Sequence, residues 1–337
     1  MKMNFRSRKI ITKRLRRSLF YSLLITFVAL NWFARLPQGR QQKLYRNLPR
    51  FAGYKLYYFS NLSASMTDFL GITGHDSVVA YQGALPIKNL VVGGYPKPGL
   101  SHKVTAEAQH LMRSGFTVCY SPELRHPLWV ANHVPAGRRL PESPRPPFKS
   151  DPEARNSPKP SDYAKTGYDR GHMAPNWSIS TCHGPEAQKQ SFLLSNICPQ
   201  MPGLNRGPWR KIEHLITDVW PSKYGDIWVI TGACSSSKNK RLPSGIEIPD
   251  GFYKVIVAHK KNKLRVLALY MSQESGYGVF PRTKIVSVDE LESLTGVDFL
   301  ADLPDEIENQ LEAEKPTRLW PAGWKGNIKL LIALFKP

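Results

Sequence analysis

The sequence predicts an α+β fold, a single domain built on a mixed or antiparallel sheet with helices. Residues 253–258 and 264–269 are two β-type apolar runs, close enough in sequence to pair as a hairpin. Short helix-type segments at 208–219, 288–293 and 304–313 are interspersed with the strands. No internal repeat is present.

Strands come first along the chain, and a long loop separates them from the rest. Residues 117–120 and 128–134 have the composition of strands. The segment 135–160 holds eight prolines, which neither a helix nor a central strand tolerates, so we expect a long loop. Further strands are predicted at 191–194 and, as a buried type, at 227–231.

The helix at 208–219 has the clearest signals. Pro208 suits the first turn, and Ile212, Leu215 and Ile216 share one face. The apolar run 328–335 carries one lysine and is too short to span a bilayer. We expect it to be a docked helix, with a membrane-surface role as the alternative.

Charge is concentrated at the N-terminus. The chain of 337 residues has a formal net charge of +21. Residues 1–50 hold 13 Lys and Arg and no Asp or Glu, which leaves 34 basic and 26 acidic residues, a net charge of +8. That moderate excess favours a polyanionic partner, although an ordinary basic surface accounts for it equally well.

The N-terminal segment resembles an uncleaved signal anchor. Eight Lys and Arg precede seventeen uncharged, mostly apolar residues at 18–34, close to the lower limit for a spanning helix. The basic flank predicts that residues 1–17 stay in the cytoplasm. A cleaved secretory signal and a mitochondrial presequence are the alternatives, and a buried amphipathic helix fits poorly. We expect export, either anchored in the inner membrane facing the periplasm or released by cleavage.

These observations divide the chain into five parts: 1–17, a basic segment; 18–34, the anchor; 35–85, a connecting region; 86–315, the folded domain; and 316–337, a C-terminal segment. The four cysteines form no C-x-x-C pair, so a structural zinc site is not expected. Two disulfide bridges in an exported protein and buried free thiols both stay open.

The string Asp-Arg-Gly-His at 169–172 is the most informative stretch. Arginine binds phosphate with donors that never deprotonate. Glycine allows a close approach of the backbone. Histidine titrates near neutrality and can take a proton from water. The combination is suited to cutting a phosphodiester.

With its context, this string resembles the signature of the DNA/RNA non-specific endonucleases, which have a ββα-metal (His-Me finger) active site. The second motif follows in similar order and spacing, as Ser-Asn-Ile-Cys-Pro-Gln at 195–200, Asn-Arg-Gly-Pro-Trp at 205–209 and then Glu213. Weaker likenesses lie at 127–131 and 252–254. The resemblance covers roughly residues 85 to 312.

The resemblance implies roles for six residues. His172 would be the general base, Asn205 the direct ligand of Mg²⁺ (with Mn²⁺ as a substitute), and Glu213 would hold water molecules of the ion. Arg170 would bind the phosphate, Asn196 would support substrate and site geometry, and Arg145 would be a second phosphate-binding arginine.

Each role has a structural alternative. Asn205 could be the N-cap of a helix beginning at residue 207 or 208, and Glu213 could be a solvated glutamate. Arg138 or Arg139 could replace Arg145. Asp169 is expected to fix the loop rather than perform chemistry.

The function favoured by these features is a sugar-non-specific endonuclease acting on DNA and RNA. One alternative is a membrane-tethered protein that binds nucleic acid without cutting it, and another is a phosphodiesterase for small substrates. The intact set of base, arginine and metal ligand favours the enzyme. The membrane, through residues 18–34, and a second copy of the chain in a homodimer complete the expected partners.

Overall fold

The structure is a computed structural model that describes residues 75–88, 90–98, 107–137, 139–235, 240–276, 279 and 284–321. All of them fall within one compact unit of the chain. The segments 1–17, 18–34 and 328–335 lie outside the described residues. Within the described part, none of the helices is both long and apolar enough to cross a bilayer.

Strands dominate the architecture, and they are short at the periphery and long at the centre. In chain order they are β1 (Ser77–Ala80), β2 (Ile87–Lys88), β3 (Val91–Val92), β4 (Lys97–Pro98), β5 (Gln109–Met112), β6 (Phe116–Ser121), β7 (His126–Val134), β8 (Asp169–His172), β9 (Ile197–Gln200), β10 (Ile227–Cys234), β11 (Gly251–Lys260), β12 (Lys263–Ser272), β13 (Ile285–Val286) and β14 (Val297–Asp298).

One eight-stranded sheet forms the centre of the described unit. Its spatial order is β1, β12, β11, β10, β7, β6, β5, and β13 pairs with β12 beyond the end of β1. Every pairing in it is antiparallel. The other strands pair two by two, as β2 with β3, β4 with β14, and β8 with β9. The predicted α+β class with an antiparallel sheet is confirmed.

The predicted hairpin is the longest ladder of the sheet. β11 and β12 pair from Gly251 opposite Ser272 to Lys260 opposite Lys263. The two connecting residues, Lys261 and Asn262, have φ angles of 52° and 56°. Positive φ at both positions is the requirement of the two-residue hairpin turn whose twist matches the strands.

The two faces of the sheet carry different layers. Successive side chains of a strand point to opposite faces. Tyr253, Val255 and Val257 of β11 pack into a core that includes Leu291 and Leu311. The intervening residues Phe252 and Lys254 face the ring of Trp209 instead, at 5.8 Å between ring centroids and 4.4 Å from Nζ to the centroid. Both faces of β11 are therefore covered, which is why it reads as a nearly continuous apolar run.

The helices are α1 (Asn176–Ser191), α2 (Pro202–Leu204), α3 (Arg210–His214), α4 (Trp220–Tyr224), α5 (Val288–Thr295) and α6 (Asp305–Ala313). Two π-helical segments, Asn205–Trp209 and Leu215–Val219, join α2, α3 and α4 into one helical run, 202–224. The predicted helices at 288–293 and 304–313 are confirmed as α5 and α6.

α1 was not predicted, and the strand expected at 191–194 is wrong. Gly184 has a φ of 88° inside α1, so two helical pieces meet there. Pro185 then opens the second piece, where its missing N–H costs nothing. In the sequence this Gly-Pro pair is typical of a chain break, and the helix contains few apolar residues to reveal its period.

The helical run begins earlier than the sequence suggested. Pro202, rather than Pro208, stands in its first turn. Pro208 lies inside the run, where the backbone of Gly207 leaves helical geometry, with φ and ψ of −102° and −117°. That local break removes the clash that an internal proline normally causes.

The described unit extends beyond the predicted domain at both ends. β1, in the expected connecting region 35–85, is an edge strand of the main sheet. At the other end, Trp320 packs on Trp220 at 5.1 Å between ring centroids. The Trp220 indole N–H donates to the carbonyl of Trp320 at 2.8 Å.

The four cysteines are free in the structure. Cys119, Cys198 and Cys234 are buried on β6, β9 and β10, and Cys182 is half-buried on α1. Burial raises the pKa of Cys119 and of Cys234 to about 12. These two thiols are therefore inert packing groups.

Candidate active site

The Asp-Arg-Gly-His string forms β8, which pairs antiparallel with β9. Arg170 lies opposite Pro199, and His172 lies opposite Ile197. A Cβ added at Gly171 would lie 2.1 Å from Oε1 of Gln200, so only glycine leaves room for that side chain. The helical run 202–224 follows β9 directly, and this completes the ββα element that the resemblance predicts.

His172 is held between two aromatic rings. Its imidazole centroid lies 4.8 Å from that of Phe192, edge to face, and 5.4 Å from that of Phe148. The residue keeps some exposed surface, but its Nε2 atom is buried and has no hydrogen-bond partner in the described part of the chain. A buried polar atom without a partner raises the free energy of the folded state, so its presence in a native protein calls for an explanation, such as a catalytic role.

Burial, assisted by the nearby charge of Arg145, lowers the pKa of His172 to about 3. The imidazole is therefore neutral at physiological pH. A neutral ring can accept a proton, which is what a general base needs before the reaction begins. The approach of a polyanion would offset the field of Arg145 and make the ring more basic at that moment.

Asn196 fixes the chain immediately after His172. Its Nδ2 donates to the carbonyls of Ala174 and Ser191 at 3.0 and 2.9 Å, and its Oδ1 accepts from the N–H of Ala174 at 2.8 Å. Its own carbonyl accepts from the N–H of Met173 at 2.9 Å. The side chain is fully buried, and its role towards the substrate stays a prediction.

Arg170 lies against the ring of Phe148. Its guanidinium carbon lies 5.1 Å from the ring centroid of Phe148, the same ring that contacts His172. Arg170 forms no ion pair with any residue that the structure describes, and it is half-buried. Its donors are therefore available to an anion beside the imidazole.

Arg145 is exposed, and its charge reaches His172. The alternative Arg139 is committed elsewhere, since its guanidinium donates to the carbonyls of Pro135 and Thr217 at 2.9 and 2.5 Å. Arg138 lies outside the described residues. Of the two described arginines, Arg145 is the one whose charge reaches His172, and its contact with phosphate stays a prediction.

Asn205 is oriented by Asp169. Its Nδ2 donates to Oδ2 of Asp169 at 2.9 Å. Arg206 donates to both oxygens of the same carboxylate, at 2.8 Å from Nε and 2.5 Å from Nη2. Asp169 thus fixes the geometry, as expected. Oδ1 of Asn205 accepts no hydrogen bond from the described residues.

The alternative in which Asn205 caps a helix is wrong. Its backbone is helical, with φ and ψ of −57° and −48°, and it lies three residues inside the helical run. A neutral amide oxygen without a donor, set beside a carboxylate, suits a hard divalent cation that prefers oxygen ligands.

Glu213 is not a solvated surface residue, and that alternative is wrong as well. Its side chain is 18% exposed, and Oε1 lies 4.0 Å from Nζ of the buried Lys254. Burial raises the pKa of Glu213, against the opposing charge of Lys254. Burial lowers the pKa of Lys254, which also donates to Oγ1 of Thr231 at 2.8 Å.

Eight residues separate Glu213 from Asn205, about 12 Å of rise in a regular helix. Gly207 leaves helical geometry between them. Regular helical spacing therefore does not fix their relative placement, and the role of Glu213 towards the ion stays a prediction.

Sequence reasoning missed Lys254 and the two rings around His172. Lys254 had a visible signal, since it is a lone charge inside the apolar run 253–258. Phe148 and Phe192 had none, because they come from the proline-rich loop and from the end of an unpredicted helix.

The family model for DNA/RNA non-specific endonuclease matches residues 97–306, more than half of the chain. The chain belongs to this family. The match contains the whole active-site hairpin of β8 and β9 together with the helical run. The family resemblance inferred from the sequence motifs is therefore confirmed.

Curated nucleases resemble the endonuclease over much of its length. The "Nuclease" of Nostoc sp. is 28% identical over 233 residues, which cover 66% of this chain and 84% of that protein. The "Mitochondrial nuclease" of Saccharomyces cerevisiae is 29% identical and covers 57% and 65%. Human "Endonuclease G, mitochondrial" is 26% identical and covers 62% and 73%.

A solved chain confirms the fold. It comes from the crystal structure of the EndoG/EndoGI complex and is 24% identical, with a TM-score of 0.54, covering 66% of the endonuclease and 94% of that chain. The protein is accordingly a nuclease, a hydrolase of a family that uses a divalent metal. The oxygen of Asn205 fits such an ion.

Proposed function

We propose that the protein is a Mg²⁺-dependent endonuclease that hydrolyses phosphodiester bonds of DNA and RNA without sequence preference, with Mn²⁺ as a substitute ion. One observation carries the proposal. The imidazole of His172 is neutral, its buried Nε2 has no hydrogen-bond partner among the described residues, and the uncommitted Arg170 lies across the same Phe148 ring.

His172 takes the proton from the attacking water. Phe148 and Phe192 restrict the ring to one orientation and exclude other water from its sides. Asn196 holds the backbone that follows the ring, so the base keeps its position while the charge on it changes. Holding a base in place contributes much of its effect, because small displacements cost large factors in rate.

Arg170 and Arg145 bind the phosphate. A guanidinium offers paired donors in a plane that matches phosphate oxygens. Asn205, oriented by Asp169, would hold the divalent ion through Oδ1. When bound, that ion supplies Lewis-acid stabilisation of the charge that develops on the phosphate.

Glu213 would support the ion from the helical run, through water molecules rather than directly. The contact between the carboxylate of Glu213 and the ammonium of Lys254 is the observation in favour of this role. The lysine keeps the buried carboxylate partly ionised against the effect of burial.

A plasmid-nicking experiment tests the proposal. Full-length protein stripped of metal with a chelator is incubated with supercoiled plasmid, with an RNA transcript and with bis(p-nitrophenyl) phosphate, with and without Mg²⁺ or Mn²⁺. We expect the ions to restore cutting of plasmid and RNA. Binding without cutting would show a nucleic-acid-binding protein, and cleavage of the small ester alone would show a phosphodiesterase for small substrates.

The cellular placement is proposed from the sequence. Eight cations precede the uncharged segment 18–34, so we infer a signal anchor that leaves the catalytic unit outside the cytoplasm. Fractionation should find the intact chain in the inner membrane, with the catalytic unit open to protease from the periplasmic side. A soluble cytoplasmic full-length chain would exclude it.

A further inference from the structure

Three carboxylates converge between α5 and α6, away from the residues discussed so far. Asp289 and Glu292 lie one turn apart on α5, and Glu312 lies near the end of α6. One carboxylate oxygen from each residue lies within 4.8 Å of the other two. None of the three forms an ion pair with a lysine, arginine or histidine of the described residues.

Glu312 distinguishes this cluster from an ordinary group of exposed acidic side chains, because its side chain is buried. It is 6% exposed, and its Oε1 is buried with no hydrogen-bond partner among the described residues. Burying a carboxylate oxygen without a donor is costly. Burial, followed by the charges of Glu292, Glu308, Asp289 and Asp298, raises the pKa of Glu312 to about 9.

The other members have oxygens to spare. Glu292 uses Oε1 to accept from the N–H of Phe299 at 2.7 Å, which leaves its second oxygen for another partner. Asp289 is exposed and connects the cluster to solvent. The arrangement runs from a buried carboxylate to an exposed one, as in a cation site completed by water.

We propose that Asp289, Glu292 and Glu312 bind a divalent cation of the calcium type, which joins α5 to α6. The set of donors favours this ion. Ca²⁺ binds oxygens at about 2.3–2.6 Å, so oxygens on opposite sides of it lie up to about 5 Å apart, and three oxygens within 4.8 Å of one another can surround it. Mg²⁺ is usually held by only one or two carboxylates and keeps several water molecules, so three carboxylates suit Ca²⁺ better.

This site is separate from the active site. Leu291 and Leu311, which flank the cluster in sequence, pack in the core on one face of the sheet with Val255. Lys254, the next residue of β11, faces Trp209 and Glu213 on the other face. The cation therefore stabilises the packing of two helices on the sheet and takes no part in phosphodiester chemistry.

Both ends of α5 are capped, which makes this helix rigid. Ser287 and Glu290 form a reciprocal capping box at the start of α5, with hydrogen bonds of 3.0 and 3.1 Å. Gly296, with a φ of 62°, ends the helix one turn beyond Glu292. A rigid α5 therefore presents Asp289 and Glu292 as a fixed pair opposite the buried Glu312.

The test is calcium binding by full-length protein that has been stripped of metal, measured by isothermal titration calorimetry and by thermal melting. We compare the wild type with Glu312→Gln and with Glu306→Gln, which removes the same charge from an exposed position of α6. Asn205→Ala removes the proposed ion ligand of the active site, so a calcium response that this variant keeps comes from another site.

We expect the wild type and Glu306→Gln to melt about 5–10 °C higher at calcium concentrations 100 times the Kd. Glu312→Gln should lose this response and melt no lower than the wild type in chelator, since it carries one charge less in the cluster. Asn205→Ala should keep the response.

Absence of a calcium-dependent shift in the wild type would overturn the proposal, and so would an unchanged shift in Glu312→Gln. If Glu312→Gln does not fold, the exposed Asp289→Asn takes its place, with an expected loss of calcium affinity of tenfold or more. Calcium affinity that Asp289→Asn leaves unchanged would contradict the site. Stabilisation by acidic pH with no response to calcium would show that protons, not a cation, neutralise the cluster.

Discussion

Asp169 determines which atom of the Asn205 amide is free. An ionised carboxylate can only accept hydrogen bonds, so the 2.9 Å contact with Oδ2 of Asp169 must come from the Asn205 nitrogen. Oδ1 of Asn205 then has no donor among the described residues. Arg206 binds both oxygens of the carboxylate, which keeps Asp169 in place. The first residue of the Asp-Arg-Gly-His string thus orients the proposed metal ligand, while the last is the proposed base.

We predict that Asp169→Asn raises the metal requirement more than it lowers the saturated rate. An asparagine can donate as well as accept, so the Asn205 amide is free to turn over. Loss of such a supporting hydrogen bond typically costs about 10–100-fold in metal affinity or activity. Activity measured over a range of Mg²⁺ should therefore reach its half-maximum at higher ion concentration.

Asp162→Asn is the control for this change, since Asp162 also accepts from an arginine, Arg125, at 2.9 Å, but lies outside the active site. A metal curve that is the same for Asp169→Asn as for the control would show that Asp169 does not orient the ligand.

We predict that His172→Ala lowers the cleavage rate by about 10²–10⁴-fold, the usual effect of removing a general base. The fold and nucleic-acid binding should persist, because the ring makes no hydrogen bond through Nε2 to the described residues. His259→Ala, at a half-buried histidine that contacts the carbonyl of Tyr81 at 3.0 Å, serves as the control. More than a tenth of wild-type activity in His172→Ala would rule out its role as base.

We predict that Arg145→Ala moves the acid limb of the pH–activity profile to higher pH. Burial and the charge of Arg145 hold the pKa of His172 at about 3, so wild-type activity should persist well below pH 6.5, the ordinary value for histidine. Removing the cation makes protonation easier and raises the pKa of His172. The check is kcat/KM from about pH 8 down to about pH 3, the pKa of His172, with the exposed Arg155→Ala as control.

A uniform drop in kcat/KM at all pH values, with the acid limb in place, would contradict the electrostatic link. It would leave Arg145 as a phosphate contact only. Arg155 is matched to it in exposure and pairs with Glu107 at 3.6 Å, away from the site.

We predict that Lys254→Met destabilises the protein by about 3 kcal/mol near neutral pH, because it leaves the buried carboxylate of Glu213 without its partner. Burial already raises the pKa of Glu213 in the folded state, and loss of Lys254 raises it further. A raised folded pKa means that the penalty is absent below the unfolded value, near 4.5, grows as the pH rises from there to the folded value, and is constant above it.

Urea unfolding of Lys254→Met should therefore show a smaller loss of stability at pH 5 than at pH 8. The double variant Lys254→Met/Glu213→Gln removes the buried charge and should recover most of the loss at pH 8. A loss that is the same at both pH values would attribute the effect to packing against Trp209 alone.

The long strands could be predicted because they are buried on both faces. Strands β6, β7, β11 and β12 have mainly buried residues, so their sequences are apolar runs rich in β-branched and aromatic side chains. Strand β1 has four residues and was assigned to a connecting region. A strand that short is recognised only by its partner, β12, which sequence alone does not place beside it.

The helices around the site were harder for a physical reason. Helix α1 buries Ser178, Ser180, Thr181 and Gln188, so its inward face is polar and lacks the apolar period that reveals a helix. The candidate site residues on β8 and β9 could be predicted because they are consecutive in the sequence and form a recognisable motif. Lys254 and Glu213 are 41 positions apart in the chain, and only the packing of the helical run on β11 brings them together.

We predict finally that cutting is indifferent to base sequence and sugar, and steeply sensitive to salt. The proposed contacts come from Arg170 and Arg145, and phosphate contacts carry no base information. Each lysine or arginine that neutralises a phosphate contributes about 0.9 units to the slope of log affinity against log salt on duplex DNA. Binding is measured with Mg²⁺ omitted, and Arg170→Ala should reduce that slope by about one unit while Arg155→Ala leaves it unchanged. Digestion of plasmid, single-stranded DNA and RNA at rising salt completes the experiment. A discrete band pattern from one preferred sequence, or RNA that resists digestion, would show that residues beyond these arginines read the base or the sugar.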